Sequence, residues 1–402
     1  MNVRALVLIG CLNLAQLPIA MRPLLVTLAG VEAAGSFTTA GLAGAAAAVG
    51  TAVAAPLWAR ALPVSGDRRV LVVSGALFTA AQLALAATHG PALFIGLAAV
   101  SGLATPPVSA SLRAMLPRLA RPQLTRAYAV NSIALETIYI GGPLWVSGWA
   151  TLAGPAAALA ATTLTGVAGL VVGVVLVPVF ERGRPRRGGL LSDPAVHTLG
   201  AAYLAYWVCM GAMWVLVPAF AEHTGAAGQS GLLVAVWSAG SLAGGVALAA
   251  RPPRGAQRNT YTALLGALAL TSLPLALPGS VAVMAVVIAV FGLALAPWLA
   301  VHDQLVAAVG EDRSGELYGW LTTLGQIGSA AGAALAGPVG DRYGGGPAFL
   351  LVSGALAIAL AVAATRRRTL PDGAGASPVT TGGSWRRQRA SRPSTGRLVR
   401  RT

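Results

Sequence analysis

The chain is a succession of apolar runs, each long enough to cross a lipid bilayer, separated by short polar breaks. They fall near residues 5–29, 36–58, 70–88, 92–114, 127–150, 154–180, 196–220, 229–250, 260–277, 280–303, 316–339 and 346–365. A spanning helix needs about 20 predominantly apolar residues, and lipid admits only segments that satisfy their own backbone hydrogen bonds. The expected fold is an all-α membrane protein of twelve transmembrane helices. Composition excludes the soluble alternative, because only 10% of residues are charged where soluble domains carry about 25%. The least marked break is Pro278-Gly279-Ser280. Removing it would leave one apolar stretch of about 45 residues, far longer than a bilayer is thick.

Orientation follows from the basic residues, all 28 of which are Arg. The even-numbered loops hold fifteen: Arg60, Arg68 and Arg69, then Arg113, Arg118, Arg121 and Arg126, then Arg182, Arg184, Arg186 and Arg187, then Arg251, Arg254 and Arg258, then Arg313. The odd-numbered loops hold one, Arg342. Basic loops stay on the cytoplasmic side, so both termini are expected there. Residues 1–180 and 196–365 read as two six-helix bundles joined by a basic cytoplasmic loop, 181–195. Residues 366–402 carry ten Arg among Ser, Thr, Gly and Pro, and read as a disordered tail. Such a tail suits anionic lipid headgroups or, as an alternative, nucleic acid; the lipid reading is preferred and no nucleic-acid partner is expected. Leu8-Ile9-Gly10-Cys11 resembles a lipoprotein cleavage box, but the apolar run continues past the cysteine, as in a first membrane helix. The Arg-only, Ala- and Gly-rich usage suggests a bacterial source and hence a cytoplasmic-membrane location.

The two halves align at one ungapped offset of 190 residues. Glu32, Gly41-Leu42, Gly102-Leu103-Ala104, Pro107, Tyr128 and Gly142 are matched by Glu222, Gly231-Leu232, Gly292-Leu293-Ala294, Pro297, Tyr318 and Gly332. An offset carrying six spans, an even number, gives both halves the same orientation, which is the parallel-repeat plan with a substrate path between halves.

Six plus six spans, inside termini, a basic central loop and parallel halves resemble the major facilitator superfamily across about residues 5–365. Gly141-Gly142-Pro143 followed by Gly148 in the fifth span is similar to the helix-packing motif of that superfamily's antiporting, drug- and metabolite-efflux branches. The loop Pro56-Leu57-Trp58-Ala59-Arg60 to Gly66-Asp67-Arg68-Arg69 resembles its basic loop motif in degraded form. The Arg that those branches carry inside the fourth span is missing, since Arg113 stands at its cytoplasmic end. The resemblance implies alternating access, with the first, fourth, seventh and tenth spans around a central cavity.

Glu136 lies about nine residues into the fifth span, near the midplane at about 1.5 Å per residue. An ionisable side chain at that depth is a functional candidate by default, and a carboxyl there can take a proton from one side and release it to the other. The alternative is a structural carboxyl bonded to Asn131, Ser132 or Tyr139. The repeat places the neutral Gln326 opposite it, leaving one titratable site at this level. Arg22 is the other intramembrane charge. It has three readings: contact with an anionic substrate, a strained pair with Glu136, or snorkelling to the outer interface. Tyr203, Trp207, Met210 and Trp214 form a helical stripe on the seventh span, suited to line a cavity for flat or greasy solutes, or else to pack against lipid. Asn13, Gln16 and Trp298 join it as cavity candidates, the two amides alternatively as helix–helix hydrogen bonds. Arg113 and Asp303 occupy matching cytoplasmic helix ends and form a candidate gate pair, or else are both solvated. His302 reads as a solvated neighbour of Asp303.

With no Lys there is no phosphate-loop lysine, and neither a metal-ligand spacing nor an HExxH helix occurs. No cofactor and no enzyme activity are expected. The sequence reads as a monomeric secondary transporter in the lipid bilayer, exporting amphipathic or aromatic small molecules in exchange for protons. The alternative is a uniporter or uptake carrier for a small metabolite, with Glu136 structural.

Overall fold

The structure, a computed structural model, describes residues 3–119, 124–177, 193–251, 255–310 and 314–371. Among these, regular structure is helical throughout, without a strand. The helices are α1 (Val3–Ala34), α2 (Phe37–Ser65), α3 (Asp67–Ala86), α4 (Pro91–Leu103), α5 (Val108–Leu119), α6 (Leu124–Ala153) and α7 (Pro155–Leu176). The second set is α8 (Pro194–His223), α9 (Ser230–Ala250), α10 (Gln257–Ser272), α11 (Val281–Gly292), α12 (Leu295–Gly310), α13 (Ser314–Tyr343) and α14 (Leu350–Thr365). Most of the central loop and nearly all of the Arg-rich tail lie outside the described residues.

Nine segments among the described residues are long and apolar enough to cross a membrane, as befits a multi-pass membrane protein. Helices α6, α10 and α13 are not among them. Helix α10 stops after 16 residues and continues as the 3-10 turn Leu273–Ala276. Helices α6 and α13 have the length, at 30 residues each. Both pack at the seam between halves, α6 on α9 and α13 on α2, where a helix can hold polar residues away from lipid.

Two expected single spans are broken. The fourth run divides into α4 and α5 around Thr105-Pro106-Pro107, and the tenth into α11 and α12 at Leu293-Ala294. The cause is local. Proline lacks an N–H and its ring collides with the carbonyl four residues back, which for Pro107 is Leu103 and for Pro297 is Leu293.

Helices α1 and α8 are the central pair. Their most apolar stretches are 67% and 78% buried, against 33–44% for the other seven candidate spans. Helix α1 packs on α7 and α6 as α8 packs on α14 and α13; α2 crosses α4 as α9 crosses α11. The crossings repeat residue for residue. Gly50 sits against the Ala99 carbonyl and Gly102 against that of Ala47, with no room for a Cβ at either position. At the same 190-residue offset, Gly240 sits against Ala289 and Gly292 against Trp237. A sequence repeat that returns the same backbone contacts is a structural one.

The interiors differ between halves. The second half has one continuous apolar core, whereas the first has two, one around Met21, Leu24 and Phe94 and one around Leu8, Leu12 and Leu112. A polar chain, buried except at Ser109, runs where they part. The Ser109 hydroxyl donates to Gln16 Oε1, Gln16 Nε2 to Asn13 Oδ1 at 3.3 Å, and Asn13 Nδ2 to Asn131 Oδ1 at 2.9 Å. At the repeat positions of Asn13 and Gln16 the second half has Tyr203 and Tyr206. The first half thus joins α1, α5 and α6 by hydrogen bonds where the second packs rings.

Candidate functional site

A pocket partly open to solvent, with about 420 Å³ of empty space counting its open part, lies where α1, α2, α8 and α13 meet, so both halves contribute walls. Its polar lining is Arg22, Thr27, Gln326 and Ser329; Trp214 is its aromatic wall, and Gly44, Ala47 and Ala48 keep the α2 side shallow. Three residues singled out from the sequence therefore meet here: Arg22, Trp214 and Gln326.

Arg22 does not snorkel. Its side chain is only 7% exposed, and the break between α4 and α5 supplies part of its setting. Nη1 donates to Thr105 Oγ1 at 2.6 Å and Nη2 to Thr51 Oγ1 at 2.8 Å. Each threonine passes its own proton to a backbone carbonyl, Thr51 to Ala47 and Thr105 to Ser101. Both partners are neutral, so the guanidinium is oriented but its charge is not cancelled. Nor does it pair with Glu136.

The remaining stripe residues lie elsewhere. Met210 and Trp298 are buried in the second-half core at 5% and 0% exposure. Tyr203 stacks on His302 at 4.7 Å, Tyr206 lies 4.4 Å from Trp298, and Trp207 meets Tyr203 and Tyr206 edge-on. A helical stripe shows which residues share a face. It does not show whether another helix already covers that face. His302 is fully buried, not solvated, with Nδ1 3.2 Å from the Tyr261 hydroxyl. Asn13 and Gln16 are committed to the helix-joining chain described above.

Glu136 is exposed on α6 and has no hydrogen-bond partner among the described residues. Asn131, one of its candidate partners, is engaged by Asn13 instead. Glu136 shares a helix face with Pro143 and Ser147, which abut α9 about 10 and about 16 Å further along at about 1.5 Å per residue. There Gly231 N–H donates to Ser147 Oγ at 2.7 Å, and Gly231 lies directly against the Pro143 carbonyl. Within the Gly141-Gly142-Pro143…Gly148 motif the roles divide. Gly142 is the close approach to Met21 of α1, while Gly141 and Gly148 have no atom near the position a Cβ would take. The glycine that brings α6 onto α9 is Gly231.

The other seam between halves, α2 on α13, is its repeat image. Gly41 lies against the Ala333 carbonyl, and Gly337 against that of Phe37. One element has no counterpart across the repeat. The Asp341 carboxylate, at the end of α13, accepts from Phe37 N–H at 2.7 Å, Thr38 N–H at 2.8 Å, Thr38 Oγ1 at 2.5 Å and Ser36 Oγ at 2.9 Å. An anion thus sits on the free N–H groups at the start of α2, where the helix dipole favours it. Burial pushes this carboxyl up, but the four hydrogen bonds outweigh that and hold it below its ordinary value. Asp341 is not among the sequence candidates, although Gly337-x-x-x-Asp341-Arg342 carries the Gly-x-x-x-Asp-Arg spacing that is broken in the loop after the second span. The candidate gate at the opposite end rests on Arg113, whose side chain lies outside the described residues; Asp303 is exposed there.

The sequence pattern of the Major Facilitator Superfamily matches residues 18–333, more than half of the chain. The chain belongs to the major facilitator superfamily. No curated protein sequence matches it. Solved structures of the same fold include the human organic anion transporter MFSD10, at 18% identity and TM-score 0.63 over 90% of this chain and 100% of that one. A bacterial homologue of the human lysosomal transporter Spinster, inward-facing and occupied, is 15% identical at TM-score 0.68, over 91% and 96%. The nucleoside transporter NupG is 11% identical at TM-score 0.71, over 92% and 99%. At these identities the likeness is one of fold. This facilitator is a small-molecule transporter by family, and the pocket described above is lined by both of its halves.

Proposed function

We propose that this chain is a twelve-span secondary transporter of a bacterial cytoplasmic membrane, which exports amphipathic or aromatic small molecules in exchange for protons. The observation that carries the reading is the pocket lined by both halves, together with the two backbone-close seams that join those halves, Gly41 on Ala333 and Gly231 on Pro143. Two halves meeting through backbone-close contacts at one end can part there and meet at the other, which is alternating access. The Arg distribution places both termini in the cytoplasm and the Asp341 end outside, so the form described is closed outward. Arg113 and Asp303 are proposed to latch the cytoplasmic end in the opposite form. Glu136 is the proposed proton carrier, because it stands exposed on the helix face that opens when α6 and α9 separate. Its repeat counterpart Gln326 already lines the cavity.

The test is uphill transport by the full chain in proteoliposomes with an imposed pH gradient, using fluorescent naphthalene derivatives of negative, zero and positive charge. At least one should accumulate against its gradient, and a protonophore should abolish accumulation. Glu136→Gln should lose pH-driven accumulation and retain binding. Flux indifferent to the proton gradient would instead establish the facilitator alternative, with Glu136 structural.

A further inference from the structure

We infer that the substrate of this cavity carries an anionic group, and that Arg22 is the residue that recognises it. The inference deepens the transporter reading and rests on it for the identity of the cavity. A guanidinium has five N–H donors in a planar fork. In Arg22 two of them reach threonine hydroxyls that are neutral and already fixed by carbonyls, so the plane of the fork is set before any ligand arrives. Charges buried in membrane proteins pair with one another or with backbone carbonyls, or mark a substrate path; among the described residues Arg22 donates to no carbonyl, only to the two hydroxyls. Among the described residues no carboxylate pairs with Arg22, and the side chain lines the cavity instead of the lipid face.

The opposite charge must therefore come from the cargo. A carboxylate or sulfonate matches the fork in geometry as well as sign, while a cation would face repulsion in a setting that screens it poorly. The rest of the lining is small and apolar apart from Gln326, Thr27, Ser329 and the Trp214 ring. The Trp214 ring with Val26 and Val215 is complementary in character to an aromatic or amphipathic body behind the anionic head.

Calorimetric titration of the purified full chain in nanodiscs tests this with 1-naphthoate, 1-naphthalenesulfonate, neutral 1-naphthamide and inorganic sulfate. The two aromatic anions should bind at least about tenfold more tightly than the amide, the order expected of one charged hydrogen-bonding group. Sulfate should compete only weakly. Arg22→Gln should bring anion affinity down to that of the amide, and Arg22→Lys should keep part of the preference. The wild-type comparison does not depend on any variant folding. Amide binding within about twofold of naphthoate, failure of both anions to bind, or an anion preference that survives Arg22→Gln would each overturn the inference. Sulfate binding as tightly as the aromatic anions would assign the site to an inorganic ion and overturn it too. Flux of the neutral or cationic naphthalenes through the same protein would leave the transporter reading intact while the anion assignment fell. Tight, Arg22-dependent anion binding without any flux would do the reverse.

Discussion

At the scale of single residues, the setting of Arg22 depends on two threonines that no sequence pattern marks. Thr51 lies inside an Ala- and Gly-rich helix, and Thr105 matters only because Pro106 and Pro107 break the fourth span beside it. The charge itself was legible as an oddity inside an apolar run. Its surroundings were not, since they come from residues 29 and 83 positions away. Hydrogen bonds to a charged group contribute about 1.5–3 kcal/mol each. Thr105→Val should therefore lower the melting stability of the protein by about 1–2 kcal/mol, and the Thr51→Val, Thr105→Val pair by less than twice that, because both bonds serve one guanidinium. Thermal unfolding of the three variants in detergent checks both statements; full additivity would mean that the two contacts are independent. The aromatic stripe of the seventh span gives the complementary lesson. Trp214 reaches the cavity, whereas Tyr203 and Trp207 meet rings of their own half, and periodicity alone treats them alike.

At the scale of helices, glycine marks two kinds of contact that look the same in sequence. Gly50, Gly102, Gly240 and Gly292 close the crossings of α2 on α4 and of α9 on α11, each within one half. Gly41 and Gly231 close the seams between halves. The repeat offset was readable because both kinds recur at it; which kind each belonged to was not, since that depends on the neighbouring helix. The distinction has an experimental consequence. Gly102→Leu or Gly292→Leu forces apart helices within one half, which the proposed rocking of the halves leaves packed, and should destabilise the fold by about 1–3 kcal/mol or more, as overpacking does. Gly231→Leu collides with Pro143 and Ser147 only in the form closed at the Asp341 end. It should preserve melting behaviour much better, while abolishing net transport by holding that end open. Parallel melting and flux measurements separate the two classes; equal loss of stability at Gly231 and Gly292 would show that the α6–α9 seam never opens.

At the scale of the whole molecule, the two seams are copies in backbone but not in charge. The α6–α9 seam is held by Ser147 on Gly231, whereas the α2–α13 seam adds the Asp341 carboxylate on the first turn of α2. Closure at this end is therefore biased through one side of the bundle. Asp341→Asn keeps the shape and removes the charge. Exposure of the carboxylate limits its contribution by solvent screening, so the closed form should lose about 1 kcal/mol, about a fivefold shift in population. Spin labels at the exposed positions Leu152 and Leu232, on the α6 and α9 sides, would report it as a larger fraction of long distances. The sign of the pH effect follows from the direction of the Asp341 shift. Its carboxyl is held below the ordinary value of 3.8 in the closed form, so its contribution is complete above that value and disappears only as pH falls through the lowered one. Between about pH 5 and 8 the Asp341 contact is insensitive to protons. Any conformational response in that window must then arise elsewhere, and Glu136 is the proposed source. The labelled Asp341→Asn protein should show a shifted baseline with the same pH slope as the parent. Glu136→Gln should show the parent baseline at low pH with no slope. If the slope vanished with Asp341 and survived the loss of Glu136, proton coupling would belong to the Asp341 contact at the outer end and not to the fifth span.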